Sequence, residues 1–405
     1  MSFSEWKEYK LGDIFVANYG KSLPKKDRVE GKYNVYGSGG ITGTHQKALV
    51  KGPGIIIGRK GTVGSLYYEK NDYFPIDTVY YIQESTEFDL KFLFYKLETI
   101  GLNQMNTHSA VPGLNREHMY SQVTVFPPIK EQKAIANILA TLDKKIETNN
   151  EINKKLDEMA KAIFKQWFVD FEFPNKEGEP YKSSCGEMVE SELGIIPRGW
   201  EVSEIDTLTE LIIDYRGKTP KKLGREWSEK GITALSAKNV KGGKLINLEQ
   251  ANHVDDELYN LWMKDELKYG DILLTSEAPL GELYFLASND KYCLSQRLFA
   301  LRANREYIYP EILFMYLKTE NIMNNIKNRA TGTTVTGIRQ SELRKVKVLK
   351  PSKEIQIKYE GCISATLKKI NTNEKETFKL INLRDTLLPK LMSGEIRVPI
   401  DISEN

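Results

Sequence analysis

The sequence predicts an α+β protein: two similar α/β domains separated by two long coiled-coil helices, the halves related by a pseudo-twofold internal duplication. Three observations carry this expectation. One block of sequence recurs about 200 residues later. Each copy opens with short β-branched and aromatic runs bounded by Gly, Pro and Asn. Each closes on a stretch of about 38 residues with apolar side chains at helical spacing.

A fixed long period decides the architecture. Residues 54–67 read GIIIGRKGTVGSLY and residues 271–284 read DILLTSEAPLGELY. A shift of 217 places Ile55, Ile56 and Ile57 on Ile272, Leu273 and Leu274, and Gly64, Leu66 and Tyr67 on Gly281, Leu283 and Tyr284. A shift of 220 carries Leu93, Phe94 and Leu97 to Leu313, Phe314 and Leu317. A shift of 224 carries Val111 and Gly113 to Val335 and Gly337, and Leu156 to Leu380. So long a period marks a duplicated domain, not a solenoid repeat.

The apolar runs at 54–58, 78–82, 271–275 and 298–302 have the length and composition of strands. Helical spacing at 89–100 and 310–325 makes each domain a mixture of helix and sheet. Pro127, Pro128 and Pro351 end the domains. Beyond them Ile135, Ile138, Leu139, Leu142, Ile146, Ile152, Leu156, Met159, Ile163 and Trp167 recur at helical spacing. A helix over 131–168 would be about 57 Å long, which suggests a coiled-coil arm. The expected parts are a first domain at 1–128, a first long helix at 129–172, a linker at 173–199, a second domain at 200–351, and a second long helix with a tail at 352–405. The linker follows from Pro174, Gly178, Pro180, Gly186, Pro197 and Gly199.

The arm register gives a sharper expectation. The seam 135, 142, 149, 156, 163 reads Ile, Leu, Asn, Leu, Ile, and the second arm reads Tyr359, Thr366, Asn373, Leu380, Leu387. Asn149 and Asn373 sit near the middle of their arms, where equivalent residues of an antiparallel pair meet. Facing asparagines would fix register at some expense of stability; the alternative is two exposed polar residues on helix faces.

Composition and missing motifs exclude several classes. No apolar run approaches the roughly 18 residues of a membrane span, and the first residues lack the apolar core of a signal peptide. Cys185, Cys293 and Cys362 stand far apart, so a disulfide framework is not expected, and a reducing cytoplasm is the simplest compartment. The four histidines show no metal-ligand spacing. Gly20-Lys21-Ser22 and Gly217-Lys218-Thr219 lack the upstream glycine of a phosphate loop, Thr42 replaces the third glycine of a dinucleotide fingerprint, and no GxSxG elbow occurs. Glu266-Leu267-Lys268 has the ExK spacing of some nucleases, a tripeptide that is common by chance. With a net charge of only +3, nucleic-acid binding would rest on local basic clusters. The absences point to a binding or scaffolding protein. A stand-alone nuclease using Glu266 and Lys268 and a structural coiled-coil adaptor without DNA affinity are the alternatives from other classes.

The junctions carry a resemblance. Pro127-Pro128-Ile129-Lys130-Glu131-Gln132-Lys133-Ala134-Ile135 leads into the first long helix and Phe164-Lys165-Gln166-Trp167-Phe168-Val169-Asp170-Phe171 closes it. Leu193-Gly194-Ile195-Ile196-Pro197-Arg198-Gly199-Trp200 opens the second half, and Leu387-Leu388-Pro389-Lys390-Leu391-Met392-Ser393-Gly394-Glu395 stands near the end. In their order, these junctions make the chain resemble the specificity subunit of type I restriction–modification enzymes over nearly its whole length. The resemblance implies two target-recognition domains, each reading half of an asymmetric bipartite site in double-stranded DNA, with the two long helices packed as an antiparallel coiled coil that acts as a ruler between them. It implies a non-catalytic chain, two methyltransferase subunits docked on it, and restriction subunits joined through that core. S-adenosylmethionine, ATP and Mg²⁺ would belong to those partners, with no cofactor on this chain. A related system in which methylation and cleavage share one fused partner is the alternative. Tyr359, Cys362 and Thr366 make the second arm less apolar than the first.

Against that expectation, residues that could touch DNA can be named. Lys21, Lys25, Lys26 and Arg28 form a basic loop around Pro24, and Arg216, Lys218, Lys221, Lys222 and Arg225 form another around Pro220. Gly20 and Gly217 each precede a lysine, and shared placement favours phosphate contact over a solvated charge run. Ser38 and Gly39, in a glycine-rich loop, allow backbone N–H groups to approach a phosphate or form a plain turn. Arg59 and Lys60 match Ser276 and Glu277, and Asp77-Thr78 matches Gln296-Arg297. Charge changes at matched loops are what two domains reading different words would show: Arg59 or Lys60 suits guanine, Glu277 suits cytosine and Gln296 suits adenine. The alternative at these positions is a plain edge turn. His108, Arg329, Thr333 and Thr334 lie in polar loops before the shared Val-x-Gly and are further candidates. Trp167, Phe168 and Phe171 read as helix-end core or as a partner patch, and the cysteines as small buried hydrophobes.

Overall fold

The computed structural model describes residues 5–84, 88–105, 113–332 and 336–399. It divides into two compact units, Met1–Thr148 with Thr377–Asn405, and Asn149–Glu376. The long helices are Ile129–Phe168, here the first arm, and Lys353–Ser393, the second arm. Each unit holds one α/β domain and one half of each arm. That division cuts across the linear boundaries the sequence suggests, because the arms share cores with the domains. Ile135, Ala136, Leu139, Leu391 and Met392 are buried with Phe92, Leu93 and Phe126 in the first unit. Phe164, Phe168, Tyr359, Ile363 and Leu367 are buried with Ile312, Leu313 and Leu317 in the second. Among the described residues no helix is long and apolar enough to cross a membrane.

The two domains repeat one topology. The first has a four-stranded antiparallel sheet in the order Asn18–Tyr19, Val79–Gln83, Gly54–Gly58, Leu66–Glu69. The second has Thr209–Asp214, Leu298–Ala303, Ile272–Thr275, Leu283–Phe285 in the same order. A small sheet with one parallel pair, Tyr33–Gly37 with Tyr73–Pro75, recurs as Ile232–Leu235 with Cys293–Leu294. A ladder of Lys7–Lys10 with Val123–Phe126 recurs as Glu201–Glu204 with Lys347–Lys350. The central strands are buried along their whole length, which is why they read as continuous apolar runs without alternation.

The helix expected at 89–100 is Leu90–Glu98, capped by the Asp89 carboxylate accepting from the Phe92 N–H at 2.8 Å. The one expected at 310–325 is two helices, Pro310–Leu317 and Glu320–Asn328, because Thr319 takes an extended conformation between them. The linker is not structureless: Met188–Ser191 pairs with Gly194–Pro197 as a hairpin, and Phe173 stacks on Trp200 at 5.1 Å.

The proline junctions have a common mechanism. The Gln132 amide donates to the Pro127 carbonyl at 2.9 Å and its oxygen accepts from the Asp89 N–H at 3.0 Å. Gln356 donates to the Pro351 carbonyl at 2.8 Å and accepts from the Tyr309 N–H at 3.0 Å. In each copy one buried glutamine ties the start of an arm to the entry of a domain helix. Trp167, Phe168 and Phe171 are core or core-edge groups: Phe168 meets Trp200, Tyr316 and Tyr359, with ring centroids 5.7, 5.8 and 4.7 Å away. Tyr359, which makes the second arm look less apolar in sequence, is fully buried there. Of the cysteines only Cys293 is buried; Cys185 and Cys362 are exposed, which corrects the expectation for those two.

Within each unit the arm halves run antiparallel: Arg384 pairs with Asp143 in the first, and the Phe164 ring meets that of Tyr359 in the second. Asn149 and Asn373 are each 1% exposed. They do not bond to each other as face-to-face packing would require. The Asn149 amide donates to Glu376 at 2.9 Å, and the Asn373 amide donates to the Asn153 side-chain oxygen at 2.8 Å. Asn153 donates in turn to the Ile370 carbonyl at 3.1 Å. The offset of about one turn has a geometric cause: helix side chains lean toward their own N-terminus, so across an antiparallel pair each reaches a residue farther along the other chain.

Glu374 of the same arm lines a cavity of about 480 Å³ with Lys244, Asp157 and Tyr284. Burial pushes its carboxyl up to about 7, against the pull of the Lys244 ammonium. The folded chain therefore holds this proton more tightly than the unfolded chain. The resulting stability is fully present below about 4.5 and is lost as pH rises through about 7. Glu374→Gln is expected to be more stable than the parent at pH 8, on the order of 1 kcal/mol, and no more stable at pH 4.5, in denaturant titrations. Asn153→Ala, which strips the Asn373 amide of its acceptor, is expected to cost about 1–3 kcal/mol in the same assay.

Candidate nucleic-acid interface

The candidate surface is built on a backbone junction that occurs once in each unit. In the first, the Arg59 and Lys60 N–H groups both donate to the Thr78 carbonyl, at 2.9 and 3.1 Å. The Leu114 N–H donates to the Arg59 carbonyl at 2.9 Å, and Lys60 forms a β-bridge with Gly113. In the second, the Ser276 N–H donates to the Arg297 carbonyl at 2.9 Å and the Ile338 N–H to the Ser276 carbonyl at 3.0 Å, while Glu277 bridges Gly337. Three loops thus converge in each domain: the exit of one central strand, the entry of the other, and the segment before the last domain helix. The bridge is close-packed in the second unit, where a Cβ on Gly337 would stand 3.0 Å from the Glu277 Cβ and 3.1 Å from the Ser276 carbonyl, so a side chain there would have to displace a neighbour.

The side chains on this shared frame differ. Arg59 donates to the Asp77 carbonyl at 2.7 Å, and Lys60 is exposed. Glu277 pairs with Arg297 at 3.0 Å, and Gln296 is exposed beside them. Arg297 adopts φ 63°, left-handed for a residue with a Cβ, a strain of order 1–3 kcal/mol that surrounding structure must hold in place. The buried Ser276 hydroxyl has no hydrogen-bond partner among the described residues. Chemically, the first junction presents donors, and the second presents an acceptor and donors in mutual contact. Such groups distinguish base edges in a major groove.

The basic loops are less free than their sequence suggests. Lys21, Lys25 and Lys26 are exposed, but Arg28 donates to the Leu23 and Thr42 carbonyls at 3.1 and 2.8 Å and ties its loop to the hairpin Tyr33–Gly37 and Gly40–His45. Ser38 and Gly39 form the turn of that hairpin, and the Ser38 carbonyl accepts from Ser65. In the second unit Arg216 is clamped by Asp214, and Arg225 by Asp255 and Glu257, whose carboxylates raise the guanidinium pKa. Lys218 donates to the Trp262 carbonyl at 2.8 Å and Lys222 to that of Gly217 at 2.7 Å. Only Lys221 of that cluster is exposed without a partner among the described residues. Arg329 is held by Asn325 and Glu342. His108, Thr333 and Thr334 lie outside the described residues.

Comparison with known proteins places this arrangement. The family model for the type I restriction modification DNA specificity domain matches residues 3–158 and again 197–382. The chain belongs to the type I restriction–modification DNA specificity family. It is 24% identical to the HindI type I restriction enzyme specificity subunit of Haemophilus influenzae, over 97% of this chain and 100% of that one. It is 25% identical to the MjaVIII specificity subunit of Methanocaldococcus jannaschii, over 97% of this chain and 93% of that one. The crystal structure of a type I restriction–modification S subunit from M. genitalium has the same fold, with a TM-score of 0.68 at 19% identity and 96% coverage of both chains.

Two residues beside this junction that the repeat does not share, Tyr19 and Arg116, carry no sequence signal. Strand register sets Tyr19 opposite Tyr80 and Asp214 opposite Phe299. Tyr19 and Asp214 are therefore equivalents, two residues away from the correspondence that the Gly20 and Gly217 match suggests. Arg116 begins a five-residue helix at the same junction. No periodicity marks a two-residue strand or so short a helix, so neither residue carried a signal.

The distinction between anchoring and free cations is measurable. Arg28→Gln is expected to lower stability by about 1 kcal/mol or more and to speed amide exchange in the hairpin it holds. Lys25→Gln should leave both unchanged, as for an unpaired surface charge.

Proposed function

We propose that this specificity-family chain is a non-catalytic subunit that reads an asymmetric, two-part duplex DNA target, one part per domain. The observation that carries this reading is the repeated backbone junction with unlike side chains: Arg59, Lys60 and Thr78 in one domain, Ser276, Glu277 and Arg297 in the other. A duplicated frame delivers two reading surfaces of the same shape. Different side chains on it select different words. The exposed Lys21, Lys25, Lys26 and Lys221 supply sequence-independent phosphate contact, which gives affinity and orientation. The paired arms set the number of base pairs left unread between the words. Methyltransferase subunits dock on the domains and arms, and restriction subunits join through them. S-adenosylmethionine, ATP and Mg²⁺ then belong to those partners.

Purified chain incubated with random duplexes should enrich a motif of two unlike words with a fixed gap, and should leave the DNA uncut in Mg²⁺. Replacing Lys21, Lys25 and Lys26 together with glutamine should weaken binding to all sequences alike and reduce the salt slope by up to about 0.9 per lost phosphate contact. A changed motif with an unchanged slope would reverse the division of roles between the basic loop and the junction.

A further inference from the structure

Among the described residues, four arginines near the two junctions are held closely by a carboxylate, whereas Arg59, Arg116 and the exposed Arg339 are not. Arg216, Arg225, Arg297 and Arg329 each stand against a carboxylate at 2.7–3.4 Å. Arg59 has no acidic partner among the described residues, and Arg116 has only Glu117 at 3.7 Å. Both guanidiniums instead lie on aromatic rings. The Arg59 Cζ is 5.2 Å from the Tyr19 ring centroid and 5.8 Å from that of Tyr80. The Arg116 Cζ is also 5.2 Å from the Tyr19 centroid, and 5.8 Å from that of Tyr120. Tyr19 is 50% exposed and the Arg116 side chain 34% exposed, so the cluster is open to a ligand.

The geometry points to a two-arginine reader: Arg59 and Arg116, both held on the Tyr19 ring, donate to guanine edges in the word read by the first domain. This rests on the function proposed above and extends it to named positions. Three elements fix the cluster. Tyr19 is in ladder register with Tyr80, whose hydroxyl donates to the Leu114 carbonyl at 3.2 Å. Arg59 leaves its strand at the junction, with one Nη on the Asp77 carbonyl. Arg116 opens a short helix capped by Asn115, whose oxygen accepts from the His118 N–H at 3.0 Å. The Tyr120 hydroxyl accepts from the Ala17 N–H at 2.7 Å and fastens that helix to the segment carrying Tyr19.

A planar fork held in this way loses little rotamer freedom on binding, and it matches the paired O6 and N7 acceptors of guanine. Phosphate contact makes no such demand and suits the flexible, exposed Lys21, Lys25 and Lys26 nearby in sequence. The second domain lacks the device. Register places Asp214 where Tyr19 stands, Ser276 replaces Arg59, and the Arg216 guanidinium lies 4.1 Å from the Phe299 centroid while bound to Asp214. The reader therefore belongs to one word only, which supplies an internal control.

The test selects bound sequences from a random duplex pool with the full chain and with Arg59→Gln, Arg116→Gln, Tyr19→Ala and Tyr19→Phe. Each glutamine variant should lose guanine preference at one position of one word, by roughly ten- to hundredfold. Tyr19→Ala should blur the same positions and Tyr19→Phe should keep them. The other word should persist in every variant, which also shows that the variant is folded. Uniform loss at all positions of both words, with a flatter salt slope, would make the arginines phosphate contacts and overturn the proposal. So would an unchanged motif. If the parent chain itself enriches no two-part motif, the functional reading fails first, an outcome no variant can imitate.

Discussion

The structure depends on one backbone device, the junction at which the Thr78 carbonyl receives two N–H groups from the exit of a neighbouring strand. Main-chain hydrogen bonds do not depend on side-chain identity. A corresponding junction is therefore built at Ser276, where the Arg297 carbonyl receives one N–H group, and Lys60 and Glu277 each bridge a glycine. The β-bridges to Gly113 and Gly337 complete it and bring a third loop to the same place. A protein that must hold different side chains in one geometry needs a frame of this kind, in which sequence is free to vary at the surface while the backbone stays fixed.

The arms answer a different need. Their ends are apolar and merge with the domain cores, through Ile135, Leu139, Leu391 and Met392 in one unit and Phe164, Phe168 and Tyr359 in the other. Their middle carries buried asparagines that bond across the pair. Apolar packing alone tolerates sliding by a turn, whereas a buried amide with a single acceptor does not. The polar middle thus trades some stability for a defined register, which suits elements proposed to set a spacing.

What could be read from the sequence follows from which signals are local. The central strands were legible because continuous apolar runs such as Ile55-Ile56-Ile57 have few other uses. The arms were legible from period and length, and the duplication from residues that shape turns and cores. The Asn149 and Asn373 offset was not, since it arises from the lean of side chains in three dimensions. Nor was the commitment of Arg28 and Arg225 to partners 14 and 30 residues away, or of Arg216 to its near neighbour Asp214, which turns apparent phosphate contacts into anchors. Tyr19 and Arg116 were missed because they sit on elements too short to show a pattern, and because counting from the glycines misaligns the two strands by two residues.

The central claim is that one chain presents two separate reading surfaces of common design. Hydroxyl-radical protection of a selected duplex by the purified full chain tests it most directly. Two protected blocks with a fully reactive gap between them, of the same length on every bound sequence, are the predicted result. A single continuous block, or a gap whose length varies from one bound sequence to another, would contradict it.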